Sequence, residues 1–588
     1  MVQYGCTERN SSVFEEDKVL KNIKRCIRNK MNRRKRIIII GGITAGTAAA
    51  VKARRSDDES EIVIYEKDSH ISYGVCGLPY FISGKIKNID KLLINTSGLF
   101  SRRFNIDVKT CNEVLKILPS EKKVQVRDME SGKKFENSYD RLIVATGSDP
   151  IKIPIDGHDA ENVFTLKSIK DALRLKEFIS KEKNEKKKSA VIIGGGFIGL
   201  ELIEAFIEYG YRVTIIEKMG QILSAFDREI IEYLENYLKT LGIDILKHEE
   251  VTGLIRGEDG MVNTVQTKGE KIIEADLVFF GIGVRAQTGL AVDSGIKLGD
   301  SGAIAVDGYM RTNIEDIFAA GGCCECRNKI SENYSPYNLA SIANRQGRAA
   351  GYNAAGGGYV FSGSIITSII KVLDIAIGKT GLGFREALEL GYDAGQIELH
   401  YSSHIEYYPG AQLMHCLTVY DKKTGKLLGM QAIGRDGIDK RIDIASATLK
   451  SGMDLEELGE LDLSYQPAYG TARDALNILG MIGENIKKGE VGFMDIHILR
   501  RMDLTGNNMT LLDVRTEKEF KSGHIEGAVN ISIDRLRKNI DRLEKDKKVI
   551  IYCRSGYRAY LGLRILTNAG FTDVRLLNGS YLSWIREL

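Results

Sequence analysis

Two short stretches hold cysteines in settings where a thiol can do chemistry. Residues 72–80 read SYGVCGLPY, with Cys76 among small residues and a proline and a tyrosine close behind. A cysteine in such a turn is more often an inert apolar residue than a nucleophile, so these nine residues alone favour a structural role. The second stretch, CRSGYR, begins at Cys553 as the chain leaves the apolar run KVIIY. A loop there can turn its backbone amides into an anion cradle, and the following helix N-terminus adds partial positive charge. Both effects depress a thiol pKa. Arg554 and Arg558 act in the same direction and are candidates to hold an anionic donor. What either thiol reacts with depends on the elements around it.

Two Gly-rich turns supply the candidate source of electrons. In RIIIIGGITAGTAAA a buried strand of isoleucines runs into a glycine turn and then a helix. That arrangement aims N–H groups and a helix N-terminus at a pyrophosphate. In the G-x-G-x-x-G frame the glycines are Gly41 and Gly46, and Ile43 takes the middle place. The next strand, IVIYEK, ends in Glu66, an acid placed for a ribose hydroxyl. The second copy, AVIIGGGFIGLELIEAFIEYGYRVTIIEK, keeps all three glycines, Gly194, Gly196 and Gly199, and ends in Glu217. Glu217 favours NADH, while Lys218 beside it keeps NADPH open. Two such sites imply two cofactors, a nicotinamide dinucleotide that comes and goes and a flavin that stays. DRLIVATGSDP places Thr146 and Gly147 after a further buried strand, DLVFFGIGVRA adds a glycine turn, and TNIEDIFAAGG brings a short strand to Gly321.

In this order the pieces resemble the flavin-dependent pyridine nucleotide–disulfide oxidoreductases over roughly residues 33 to 482. The resemblance implies an FAD domain interrupted by an NAD(P)H domain, then a dimerisation domain and a homodimer. In that family the last motif usually ends Gly-Asp, whose carboxylate holds the flavin's ribityl chain. Here Gly322 follows Gly321. Loss of a charge-assisted hydrogen bond costs about 1.5–3 kcal/mol, so FAD is expected to bind, more weakly.

Many relatives carry a nearby pair of cysteines that cycle as an internal disulfide. The residues after Cys76, GLPYFISG, hold no second one. A single thiol must be oxidised to a mixed disulfide, a persulfide or a sulfenic acid. SYGVCGLPY is similar to the single-cysteine subgroup of coenzyme A-disulfide, persulfide and polysulfide reductases, which usually has Asn where this chain has Val75. By the same resemblance HIEYYPGA and LDLSYQPAYG bring tyrosines from the partner subunit: Tyr408 (or Tyr407) and Tyr465. A phenol with a pKa near ~10 can stabilise a thiolate or protonate a leaving thiol. Lys52 and Arg55, with Arg54 between them, are candidates for coenzyme A phosphates, against the plainer reading of a solvated basic face. An NADH oxidase or peroxidase using a sulfenic acid, and a redox-responsive dimer without turnover, are the alternatives.

LLDVRTEKEFKSGHIEGAVNI and CRSGYRA resemble the rhodanese domain, in which the cysteine carries sulfane sulfur as a persulfide; Asp513 and Arg515 read as structural. The fold expected is α/β: two Rossmann-like FAD and NAD(P)H domains, an α+β dimerisation domain and a C-terminal α/β rhodanese domain. The two resemblances imply the boundaries, and the charge-dense run KEKNEKKKS leads into the second glycine turn. They give a polar extension at 1–32, FAD-binding parts at 33–150 and 280–355, NAD(P)H binding at 151–279, dimerisation at 356–482, a linker at 483–494 and rhodanese at 495–588.

Composition sets the remaining bounds. With 588 residues the chain needs several cores. Lys plus Arg (83) nearly balance Asp plus Glu (79), which gives no case for nucleic acid. Nine unevenly spaced cysteines make no disulfide framework and point to a reducing, cytoplasmic setting. No apolar run is long enough for a membrane. CCEC (Cys323, Cys324, Cys326) looks like a metal cluster but lacks a second pair, so no metal is expected. Cys111 and Cys416 read as core.

Overall fold

The computed structural model describes residues 34–181, 188–502 and 509–586. The expected extension at 1–32 lies outside them. Four layered units follow one another, and each explains how one candidate group is held.

The first is a parallel sheet of order Ile317–Ala319, Arg141–Val144, Arg36–Ile40, Glu61–Tyr65, Asp107–Lys109. Ile37, Ile38 and Ile39 are wholly buried in its centre, as an isoleucine run covered on both faces requires. Helix α1 (Thr44–Ser56) follows the first glycine turn, and the single-turn helix α2 (Leu78–Ile82) follows Cys76. The chain then leaves through Ser148–Pro150 and returns through Val284–Ala286, an antiparallel pair between the first two units.

The second unit is a parallel sheet of order Asp244–Lys247, Tyr211–Glu217, Lys188–Ile193, Leu277–Phe280, Val163–Phe164. Helix α3 (Phe197–Glu208) follows its glycine turn, and α4 (Arg228–Thr240) faces the later units. Back in the first unit, α5 (Ala340–Ala354) crosses α1 at backbone contact. A Cβ at Gly347 would lie 2.2 Å from the Ala45 carbonyl oxygen, and one at Gly351 2.1 Å from that of Ala49. The run ANRQGRAAG is therefore a packing device for the helix that follows the first glycine turn.

The third unit is an antiparallel sheet of order Ser368–Val372, Ile375–Gly381, Leu427–Gly434, Leu413–Asp421, Ala394–Ser402, covered by α6 (Ile438–Ser451) and α7 (Ala475–Lys487). Arg441 of α6 binds Asp474, the N-cap of α7, at 2.7 and 3.2 Å, both side chains buried. The fourth is a parallel sheet of order Phe493–Met494, Val574–Leu577, Lys548–Tyr552, Met509–Asp513, Val529–Asn530, with α8 (Tyr557–Asn568) and the short α9 (Ser580–Ile585). Its first strand pairs Phe493 with Leu576, so the sheet reaches back into residues expected to be linker, and α7 extends five residues past 482.

A buried polar knot joins units two, three and four. Arg586, just past α9, binds Glu398 at 2.7 Å and Glu232 of α4 at 3.1 Å. Glu398 also meets His415 at 3.1 Å, and His415 stacks on His400. His400 reaches both Ser583 of α9 (2.9 Å) and Tyr233 of α4 (3.1 Å). Burial holds both imidazoles below their usual range, so they are neutral; Glu398 is held low as a carboxylate despite burial, chiefly by Arg586. The last unit is clamped onto its neighbours.

Candidate functional site

The two glycine turns are built alike. Gly41 takes φ +104°, and a Cβ there would sit 2.3 Å from the Ala145 carbonyl oxygen. At Gly46 the same atom would lie 1.8 Å from the Gly41 carbonyl oxygen. Ile43, in the frame's middle place, is the N-cap of α1 at φ −96°, a conformation that needs no glycine. Glu66 accepts the Gly42 N–H at 2.7 Å and the Asp68 N–H at 2.9 Å, one on each carboxylate oxygen. In the second turn Glu217 accepts the Gly195 and Met219 N–H groups, both at 2.7 Å. Gly194, at φ +96°, and Gly196, the N-cap of α3, press against the Gly281 carbonyl, and Gly199 lies on Ile192. Lys218 is drawn to Glu250 at 2.6 Å. Around the first turn, the Thr146 hydroxyl donates to the Gln287 carbonyl, Gly147 takes φ +72°, and Gly321 packs on Ala45. Open N–H groups at a helix start, a cradle with no room for side chains and an acid at the next strand end fit the pyrophosphate and ribose of a dinucleotide. The residues present fit FAD at the first turn and NAD(P)H at the second.

Cys76 lies in a short 3-10 turn, Val75–Gly77, leading into α2, and its side chain is exposed. Helix α2 packs against α3, which carries Glu201. Desolvation and then the Glu201 charge push the Cys76 thiol up, while burial pushes the Glu201 carboxyl up to about 7. Tyr80 is raised by the same two causes, burial first. A thiol beside an acid of near-neutral pKa has a local proton store. Glu201 escaped the sequence reading, although an acid two residues after Gly199 on the apolar helix FIGLELIEAFIE was its visible signal.

Above pH 7 the Glu201 charge opposes the Cys76 thiolate, and below it the acid is neutral. Glu201→Gln removes that charge, so the midpoint of Cys76 alkylation by iodoacetamide moves to lower pH, read in a Cys553→Ser background. An unchanged profile means that the two groups do not communicate. Because the carboxyl is raised in the folded chain, its contribution to stability is full below about pH 4.5 and is lost as pH rises through about 7.

The tyrosines occupy two loops stitched together by Ile405 N–H donating to the Gly470 carbonyl (3.1 Å) and the Tyr401 hydroxyl to that of Arg473 (2.9 Å). Tyr465 meets the Tyr407 hydroxyl at 3.3 Å, whereas Tyr408 packs edge-on to His404. Tyr407, Tyr408, Tyr465 and Tyr469 are all exposed, an aromatic surface suited to a partner. Among the described residues no hydrogen bond or ring contact joins them to the Cys76 turn of the same chain. The basic residues of α1 separate. Arg54 is buried and clamps the carbonyls of Asp58, Phe104 and Asn105, Lys52 lies 4.6 Å over the Tyr352 ring, and Arg55 is exposed.

In the fourth unit Cys553 is buried, and its Sγ accepts the Gly556 N–H at 3.1 Å. Its own N–H donates to Ser580 Oγ, and the carbonyls of Cys553 and Arg554 accept from Tyr581 and Leu582 of α9. Arg554 is exposed, while Arg558 forms a two-pronged pair with Glu519 at 2.7 and 2.8 Å. Arg515 forks onto Asp513 and lies 4.0 Å over the Tyr581 ring, a structural bracket. Cys323, Cys324, Cys326 and Cys416 are buried, and no group of residues able to hold a metal is found among the described residues. Cys111 is not core: it is a half-buried turn residue at φ +54°.

Comparison with known proteins agrees with this geometry. Residues 35–347 match the model of the pyridine nucleotide-disulphide oxidoreductases, 367–475 the dimerisation domain of that family, and 498–587 the rhodanese-like domain. The chain is 35% identical over 452 residues to an NAD(P)H coenzyme A polysulfide/persulfide reductase of Pyrococcus horikoshii, covering 77% of this chain and 99% of that one. It is 29% identical over 447 residues to a coenzyme A disulfide reductase of Staphylococcus haemolyticus, covering 76% and 98%. Among solved structures, reduced Bacillus anthracis CoADR-RHD superposes with TM-score 0.89 at 33% identity, covering 94% of this chain and 98% of that one. An NAD-dependent persulfide reductase from A. fulgidus gives 0.86 at 33%, covering 93% and 100%.

Proposed function

We propose, for a chain that belongs to the pyridine nucleotide-disulphide oxidoreductase family, the NAD(P)H-dependent reduction of coenzyme A disulfide, coenzyme A persulfide or polysulfide through Cys76. The observation that supports this is an exposed thiol with no cysteine beside it to close a disulfide, in a chain with two dinucleotide turns. FAD, when bound, relays two electrons from NAD(P)H to sulfur. The Cys76 thiolate attacks a sulfur of the substrate's S–S bond. That bond breaks as the new one forms, and the leaving thiolate takes a proton from Tyr465 or Tyr408 of a second subunit. Two electrons then cleave the Cys76 mixed disulfide or persulfide, which restores its thiolate and releases the second thiol or sulfide. Glu201 holds a proton beside Cys76 through these changes of charge. Lys52 and Arg55 are the basic residues of α1 left for coenzyme A phosphates.

Cys553 carries sulfane sulfur as a persulfide, with Arg554 on the open side of its loop and Arg558 behind it. A fused rhodanese domain favours the persulfide and polysulfide substrates, because reduction of a plain disulfide gives it nothing to carry. The active form is a homodimer in the cytoplasm. Among the described residues no helix is long and apolar enough to cross a membrane.

The test compares NADH and NADPH consumption with coenzyme A disulfide, coenzyme A persulfide, polysulfide, peroxide and oxygen, in the wild type and in Cys553→Ser. Sulfur substrates are expected to exceed oxygen and peroxide, and Cys553→Ser to lower turnover only with sulfane donors. Turnover fastest with oxygen or peroxide assigns the chain to sulfenic-acid chemistry instead.

A further inference from the structure

The glycine at 322 leaves a space in the first dinucleotide site, and a side chain from another element already fills it. A Cβ built on Gly322 would lie 2.3 Å from Asn338 Oδ1, closer than any real contact, and 3.5 Å from Ser148 Oγ. Asn338 is tied to this spot from both ends. Its Oδ1 accepts the Ser148 hydroxyl at 2.8 Å, and its Nδ2 donates to the Pro336 carbonyl at 3.1 Å. The neighbourhood is that of the cofactor. Gly321 abuts Ala45 near the start of α1, its N–H donates to Gln346 Oε1 at 3.0 Å, and Ser148 directly follows Thr146 and Gly147. Three turns, at 41–46, 146–148 and 321–322, therefore converge where this carboxamide stands, and the Asn338 residue is exposed rather than packed away.

We infer that Asn338 is a cofactor-binding residue that takes over, from the segment just before α5, the polar contact with the flavin nucleotide that Gly322 lacks. This rests on the reading of the first turn as the FAD site. With one lone pair of Oδ1 given to Ser148 and one N–H of Nδ2 to Pro336, the carboxamide keeps an acceptor and a donor free. A carboxylate at 322 would offer acceptors alone. The free pair suits a ribityl hydroxyl, which both donates and accepts, and the spare N–H suits a phosphate oxygen. The two positions are coupled by space: a side chain at 322 must push the tip of the Asn338 carboxamide aside, and that tip can keep its place only above a glycine.

The experiment measures the FAD dissociation constant of the full chain, after flavin removal, by flavin fluorescence, with melting of the flavin-free proteins as a folding control. Asn338→Ala is expected to weaken FAD by ~3–10-fold, the range of one neutral hydrogen bond. Gly322→Asp alone weakens it as well, because the introduced carboxylate collides with Asn338. Gly322→Asp with Asn338→Ala binds more tightly than Gly322→Asp alone, a rescue that mere loss of packing does not produce. A wild type that binds FAD while Asn338→Ala binds it equally well, or a double variant no tighter than Gly322→Asp, overturns the role of Asn338. A wild type that binds no FAD overturns the flavin reading itself.

Discussion

Cys76→Ser is expected to lower NAD(P)H-driven reduction of disulfide or persulfide sulfur by at least ~10³-fold, while FAD binding and sulfur transfer at Cys553 remain. The size follows from the absence of any substitute. A serine hydroxyl is far less acidic than a thiol and cannot be reduced back from a sulfur adduct, so covalent catalysis stops. The buried cysteines cannot step in. Cys323, Cys324, Cys326 and Cys416 are buried, and desolvation raises each thiol. Cys553 belongs to a separate sheet whose thiol faces its own loop. The loss should appear in kcat, with bleaching of the flavin by NADH intact, because electrons still enter and find no sulfur to leave by. Full turnover in Cys76→Ser sinks the mechanism.

The second large effect concerns the knot around Arg586. Arg586→Ala leaves the buried Glu398 carboxylate, which also meets His415, without its cation. Breaking a buried pair on one side costs about 3–5 kcal/mol, enough to free the rhodanese unit from α4 and the dimerisation sheet. Its melting should separate from that of the flavin units, and limited proteolysis should release it. One unchanged transition means that apolar packing alone holds the unit.

Acid should have the same effect. His400 and His415 have folded pKa values below the free value near 6.5, so the stability they contribute is present above it and lost as pH falls. Among the described residues neither Nδ1 finds a partner, so protonation there is uncompensated. Glu398, also depressed, adds a further loss below about pH 4.5. Docking is thus expected to weaken from about pH 6.5 downward, long before the sheets melt.

What was legible in the sequence follows a physical line. Gly41, Gly194, Glu66 and Glu217 were readable because a turn, a strand end and a fixed spacing suffice to place them. The fourth sheet was readable because KVIIYCRSGYRA joins a buried strand to a helix within a dozen residues. Glu201 was hidden because its raised pKa comes from burial in the folded chain, which helical periodicity does not encode. Asn338 was hidden because its meaning depends on a glycine sixteen residues earlier that approaches it only in space. Tyr233, Glu398, His400 and Arg586 each look ordinary locally, and only the assembly of three units makes them one group. Arg54 looked like an anion ligand because a cation in sequence does not announce the carbonyls it clamps.

The paired carboxylate latches also carry a kinetic meaning. Both acids fasten their glycine turns through the same two N–H groups, so each turn is shaped before a nucleotide arrives and little ordering is left to binding. They differ in the burial of the acid itself: Glu66 is 6% exposed and Glu217 half-buried, although each is followed by three exposed residues. With both turns shaped in advance, residence time at each copy is left to the contacts that its dinucleotide makes rather than to the order in which the turn forms.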